Sequence, residues 1–327
     1  MMVNRDFVLK DELCETVFVV GSTRSGKIIL SRILSSLKRT NKIEVDYLSE
    51  YFPALKKMNH ISDDACKVLL RYAIYLKIYN NFIGREMNLK FSDYTSIWNN
   101  PKVSDNIEKL FGGDVIGDDG KYTNDPKDLY EKIKSKNSIF HLMIHYELNH
   151  IFTYLDAFPT AKFIYMKRNP VDLIYSWIKK GYTEEIWSHY NVSCPIYSYE
   201  NQDVPYYAFG WEKEFLKLNS IEKIVNIICK QSQTSRENEK TITHDNMKRF
   251  MKIDFDEIVQ KPDENLKNIC SFLKTETTED TINILQKENL PRFLDLKKRE
   301  EKYKFIVKEV SDETREFLDH TLIQFNQ

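Results

Sequence analysis

The chain of 327 residues, 42% hydrophobic and 30% charged, has enough apolar material to bury a large core, which excludes a disordered tail protein. Its 48 Lys and Arg against 49 Asp and Glu give a formal charge of −1, so a nonspecific grip on nucleic acid through a strongly basic surface is not expected. Only nine glycines occur, where average usage near 7% would give about 23, so each marks a place where backbone freedom is kept.

The five cysteines (Cys14, Cys66, Cys194, Cys229, Cys270) are odd in number and contain no C-x-x-C pair, which argues against a disulfide framework or a zinc knuckle. Residues 1–15 carry Arg5, Asp6, Lys10, Asp11, Glu12 and Glu15 in place of an apolar signal core. No later apolar run approaches the roughly 18 residues of a membrane span. The expectation is a cytoplasmic protein with no membrane partner, in which Asn191-Val192-Ser193 is a chance glycosylation sequon.

In chain order, residues 16–20 (TVFVV) form a short β-branched run, followed by the loop Gly21 to Gly26 and by apolar residues at helical spacing, Ile29, Leu30, Ile33, Leu34 and Leu37. Residues 138–142 (SIFHL) give a second strand and residues 161–166 (AKFIYM) a third, after which Pro170 opens a helix through Ser176, Trp177 and Ile178. Residues 252–255 (KIDF) give a fourth strand, followed by Pro262 and a helix through Leu266, Ile269, Cys270, Phe272 and Leu273. Strands alternating with helices predict an α/β fold, a central parallel sheet flanked by helices in a three-layer sandwich. No repeat or tether divides the chain, so one domain over residues 1–327 is expected, with insertions at 40–135 and 177–245. Ligands of such sheets bind beyond the carboxyl ends of the strands.

Two anion elements fall at that edge. Gly21-Ser22-Thr23-Arg24-Ser25-Gly26-Lys27 sits between strand and helix, so that backbone N–H groups and hydroxyls converge at a helix N-terminus. Its spacing also fits a nucleotide-triphosphate loop, but the next residue there must be Ser or Thr for Mg²⁺, and here it is Ile28. Phosphate binding without obligatory metal is therefore expected. The second element, Arg168-Asn169-Pro170-Val171-Asp172, follows a strand, with Asn169 as N-cap, Pro170 in the first turn and Asp172 favouring the helix dipole. Arg168 is thereby fixed at the strand end, where Ser176 can reach the same anion.

Together, in this order, the two elements resemble the sulfotransferase family that uses 3′-phosphoadenosine 5′-phosphosulfate (PAPS). The resemblance implies that Gly21, Ser22, Thr23, Arg24, Ser25, Gly26, Lys27 and Ile28 hold the 5′-phosphosulfate, and that Arg168 and Ser176 hold the 3′-phosphate. A later segment, Phe255-Asp256-Glu257-Ile258-Val259 with Pro262, is similar to the family's, Phe255 standing near the adenine where relatives often carry Tyr. Lys27 and Ile28 depart from the family's hydroxyl-bearing residues after the second glycine. The family's C-terminal basic-plus-glycine loop has no clear counterpart, since no Gly follows Gly210. Lys297-Lys298-Arg299 reads instead as a solvated charged helix.

By the same resemblance Arg24 takes the slot of the family's loop cation in sulfuryl transfer, with Lys27 as a second candidate. Such transfer needs cations where the leaving oxygen gains charge and a base at the acceptor. His141, read as the end of its strand, is the expected base, with His145 and His150 further on. Residues 177–211 hold ten aromatics (Trp177, Tyr182, Trp187, Tyr190, Tyr197, Tyr199, Tyr206, Tyr207, Phe209, Trp211) and read either as an acceptor-pocket wall or as an aromatic core under a loop. Residues 105–131 hold eight acids against three bases and read as a mobile acidic loop, which would favour a neutral or cationic small acceptor over a polyanion. The readings left open beside a PAPS-dependent sulfotransferase are a nucleotide-triphosphate enzyme with an atypical loop and a catalytically silent nucleotide-binding protein.

Overall fold

The computed structural model describes residues 13–82, 88–90, 92–99, 131, 133–146, 148–182 and 194–326. Its centre is a five-stranded parallel sheet in the order β2-β3-β1-β4-β7, built from β1 (Glu15–Val20), β2 (Glu44–Val45), β3 (Ile139–Ile144), β4 (Lys162–Lys167) and β7 (Phe250–Asp254). The separate β5 (Ile196–Tyr199) and β6 (Gln202–Pro205) form an antiparallel hairpin. The expected α/β class and parallel sheet are what the molecule shows.

Strand alternation sorts the core into two faces. In β1, Val17 and Val19 join one cluster and Phe18 and Val20 the other, and every one of the four is essentially inaccessible. The first face is covered by α1 (Lys27–Ser36) through Leu30, Ile33 and Leu34, and by α7 (Phe255–Gln260) and α8 (Pro262–Leu273) through Ile258, Val259, Ile269 and Leu273. The second is covered by α3 (Asp63–Phe82) through Cys66, Leu70 and Ile74, and by α4 (Ile151–Ala157) through Ile151, Tyr154 and Leu155. Burying both faces of every central strand removes most of their apolar surface from water, at roughly 25 cal/mol per Å².

The strand readings hold with shifted ends. β3 runs on through Met143 and Ile144, so His141 lies in mid-strand, opposite Val17. β7 stops at Asp254, whose side chain caps the next helix by accepting from the Asp256 N–H at 2.7 Å, so Phe255 is the first residue of α7 and not the last of a strand. Two stretches read as insertions carry framework. Residues 44–45 form the edge strand of the main sheet, and α2 (Tyr47–Lys57) and α3 follow it. Within 177–245 lie the hairpin and α6 (Ser220–Thr241), which starts on a capping box of Asn219 and Glu222. Among the described residues, no helix is long and apolar enough to cross a membrane.

Candidate active site

Because the strands are parallel, their last residues line one edge of the sheet, and the residue after each enters the same space: Asp46 after β2, His145 after β3, Gly21 after β1, Arg168 after β4 and Phe255 after β7. The chain order reverses about β1, whose neighbours are β3 and β4, and this is the switch point where open α/β sheets take ligands.

Two glycines allow the β1–α1 loop to lie this close to its neighbours. A Cβ on Gly21 would stand 2.7 Å from the Met166 carbonyl oxygen, and one on Gly26, at φ +105°, would overlap the Phe255 ring. Lys27 turns back on the loop it follows, its buried ammonium donating to the carbonyls of Gly21 and of Ser22, the latter at 2.7 Å. The Trp177 indole N–H donates to the Thr23 carbonyl at 2.8 Å. The Ser22 and Ser25 hydroxyls are buried with no hydrogen-bond partner, and α1 follows Gly26 as N-cap, with no side-chain cap. Buried unpaired hydroxyls and uncapped helix N–H groups are costly unless an anion completes them. The residues present therefore fit a phosphate or sulfate group.

The second element closes on the first. α5 (Pro170–Lys179) starts as the sequence implies, Asn169 accepting from the Val171 N–H at 3.0 Å. Arg168 donates to the Arg24 carbonyl at 2.5 Å, and the Arg24 Nε donates to the Ser176 hydroxyl at 3.1 Å. The Arg168 guanidinium lies 4.4 Å from the centre of the Phe255 ring, and Arg292 stands at 5.8 Å from the same ring. Burial, with Arg24 and Arg292 adding repulsion, holds the Arg168 pKa below its ordinary value. An anion placed among these guanidiniums would relieve that repulsion. Arg24, Arg168, Ser176 and Phe255 are thus brought together. Arg292, on the segment between α9 (Glu279–Lys287) and α10 (Leu296–Lys308), is a further member that no local motif announces.

The basic tract 297–299 divides. Lys297 and Lys298 are exposed, whereas Arg299 donates to Asp172 at 2.7 Å and to both Asp256 oxygens at 2.8 and 3.0 Å. Lys302 adds a bond to Asp172 at 2.6 Å. Burial alone would push the Asp172 carboxyl up, but Lys302 and Arg299 outweigh it and hold it below the usual carboxylate range. This cluster braces the starts of α5 and α7 from behind.

The expected base is not at the edge. His141 is 1% exposed and points, by alternation with Ile139 and Met143, into the α1 face of the core. Its backbone N–H is held by Asn41 at 2.9 Å. His145 occupies the edge instead. Its Nδ1 lies 2.7 Å from Glu50 Oε1 and its backbone N–H donates to Glu50 Oε2 at 3.1 Å, while Tyr47 stacks on its ring at 5.4 Å. Glu50, 1% exposed, sits in the first turn of α2, which Asp46 caps directly after β2. His150 is buried against the Tyr206 hydroxyl at 3.0 Å, and burial drives its pKa down to about 3. It belongs to the core.

The described part of the aromatic stretch divides between a core cluster and the β1–α1 loop. Tyr206 and Phe209 pack with Tyr146 and Cys194 as a core cluster, while Tyr207 contacts the Trp177 ring at 6.0 Å and bonds the Thr23 side chain at the loop. Tyr182 packs on Trp177 at 5.5 Å. Trp187 and Tyr190 lie outside the described residues, as does the acidic stretch 105–131 apart from Glu131.

No curated protein matches the chain. Solved structures similar to it include the sulfotransferase domain of the Synechococcus PCC 7002 olefin synthase, at 12% identity, 86% of this chain, 81% of that one and a TM-score of 0.43. A sulfotransferase from Alicyclobacillus acidocaldarius matches at 17% identity, 94% and 96% coverage and a TM-score of 0.39. The family profile described as the sulfotransferase domain matches residues 15–325, from the first residue of β1 to the last of α11 (Asp312–Phe325). The chain belongs to the sulfotransferase family.

Proposed function

We infer that the protein transfers the sulfuryl group of PAPS to a hydroxyl or amine of a small acceptor. The observation that supports this best is the pairing, along one sheet edge, of a cradle with unpartnered buried hydroxyls and a histidine backed by a carboxylate. When bound, PAPS supplies the sulfuryl group and a nucleotide phosphate as leaving group.

On the nucleotide side, Ser22, Ser25 and the first N–H groups of α1 would hold the 5′ end, and Arg168 with Ser176 the 3′-phosphate. Arg292 and the Phe255 ring complete that side. Arg24, exposed at the loop tip at φ 71°, is the cation for charge that grows on the leaving oxygen. Lys27 keeps the loop closed through its two carbonyl bonds; proton donation by it would require those bonds to open.

On the acceptor side the base moves from His141 to His145. With Nδ1 hydrogen-bonded to Glu50, the ring presents Nε2 as the acceptor of a substrate proton, and Glu50 fixes the tautomer and stabilises the imidazolium that forms. Tyr47 covers one face of this ring, and Tyr182 and Tyr207 pack on Trp177 beside the loop.

Incubation with radiolabelled PAPS and a panel of alcohols, phenols, sugars and amines, with EDTA present, tests the reading. Labelled product formed equally with and without chelator is the expected result. Transfer that needs Mg²⁺ and is supported by ATP would overturn it.

A further inference from the structure

Beyond His145 the sheet ends in β2, and there the molecule has a cleft of about 340 Å³ lined by Tyr47, Tyr94, Lys42, Glu44, Lys77 and Asp93. Tyr47 is the shared wall: one side of its ring stacks on His145, and the residue also lines the cleft. The volume lies within the range of small-molecule sites, roughly 300–1,000 Å³, but the lining does not, because such sites are mostly apolar.

The floor is ionic. Lys42, Glu44 and Lys77 are each at least nine-tenths buried. Lys42 donates to Glu44 Oε1, which also accepts from Asn81 at 2.6 Å, and Lys77 approaches Glu44 Oε2 at 3.6 Å. Asp93 is held at the rim by the Thr95 hydroxyl and N–H at 2.9 and 2.8 Å. Two lysines against two carboxylates leave a formal charge of zero. The Tyr47 and Tyr94 phenols bond each other, and burial pushes both up, so they stay neutral at physiological pH.

This lining discriminates between acceptor classes. A flat phenol or long alkyl acceptor would strip the water that still reaches Asp93 and the edge of the ionic floor and return no hydrogen bond to them. A polyanion would meet two carboxylates and gain no net attraction. A neutral polyhydroxylated ring does otherwise, since each hydroxyl is one donor and two acceptors, matching ammonium and carboxylate alike. The two tyrosine rings would cover its C–H faces.

Resting on the sulfuryl-transfer reading, we propose that this cleft seats a neutral, sugar-like polyol and presents one of its hydroxyls past Tyr47 to His145. In the step, that hydroxyl oxygen forms the bond to sulfur, the bond from sulfur to the nucleotide phosphate breaks, and the hydroxyl proton passes to His145 Nε2.

Saturation-transfer NMR of the full chain with methyl glucoside, with and without 3′,5′-adenosine bisphosphate, reads the cleft directly, and transfer from labelled PAPS to methyl glucoside or 2-naphthol reads its use. Saturation of the glucoside protons is expected, with Asp93→Asn weakening glucoside binding about tenfold, as loss of one charged hydrogen bond implies. The acceptor KM should rise by the same factor while kcat and nucleotide affinity hold. Asp93→Leu, checked for folding by circular dichroism, should abolish glucoside binding. No saturation of the glucoside, preferential transfer to 2-naphthol, or glucoside binding indifferent to both variants would overturn the proposal. Failure of the wild type to bind 3′,5′-adenosine bisphosphate would instead remove the sulfuryl-transfer reading, while the glucoside signal would still decide what the cleft holds.

Discussion

Two histidines four residues apart have opposite fates, and the difference comes from where β3 ends. His141 is enclosed by the α1 face of the core, whereas His145 emerges one residue past the strand with Glu50 behind it. His145→Ala should lower turnover about a hundredfold or more while leaving affinity for 3′,5′-adenosine bisphosphate intact. Glu50→Gln, which keeps the shape but not the charge, should lower kcat without changing nucleotide affinity. His141→Ala should act through stability, since it opens a gap in the core. Loss of turnover in a stably folded His141→Ala, with full activity in His145→Ala, would reverse the assignment. The sequence offers both histidines, and SIFHL reads as a complete strand that would leave His141 at its end. Buried parallel strands run as continuous apolar stretches, and Met143 and Ile144 simply continue this one. Glu50 and Arg292 were invisible for another reason: each reaches the edge from an element distant in sequence, with no motif around it.

At the scale of elements, β1–loop–α1 and β4–α5 are the parts the sequence made plain. Local chemistry decides them: a β-branched run, two glycines where no Cβ fits, and an Asn-Pro helix start. The two-residue strand β2 was not legible, because so short an edge strand is defined by pairing with β3 and not by its own pattern. The loop's tight fit makes a prediction. Gly26→Ala should both strain the backbone, by about 1–3 kcal/mol, and displace Phe255, so that melting temperature and nucleotide affinity fall together. Gly210→Ala is the comparison: its φ is +90°, yet nothing lies within 4 Å of an added Cβ, so only stability should change. Equal nucleotide affinity in the two variants would show that the Gly26–Phe255 contact does not shape the site.

For the molecule as a whole, one sheet edge carries the anion cradle near its centre, Phe255 and Arg292 to one side, and His145, Tyr47 and the ionic cleft to the other. Folding also couples to pH through His150. The unfolded chain takes up a proton there below about pH 6.5, but burial depresses the folded pKa to about 3. Between these values the unfolded state binds more protons, so stability present above about pH 6.5 is lost as pH falls, at up to about 1.4 kcal/mol per unit. The melting temperature of the wild type should therefore drop more steeply between about pH 7 and pH 5 than that of His150→Asn. Parallel slopes would place the acid sensitivity elsewhere.

Whether this edge is built for a 3′-phosphorylated adenine nucleotide is the point on which the rest depends. Calorimetric titration with 3′,5′-adenosine bisphosphate in EDTA, on the wild type and on Arg168→Ala, measures it most directly. Saturable binding of one nucleotide per chain, weakened about tenfold or more by the loss of one charged contact, is the predicted result. No binding by the wild type, or equal binding by the two proteins, would contradict it.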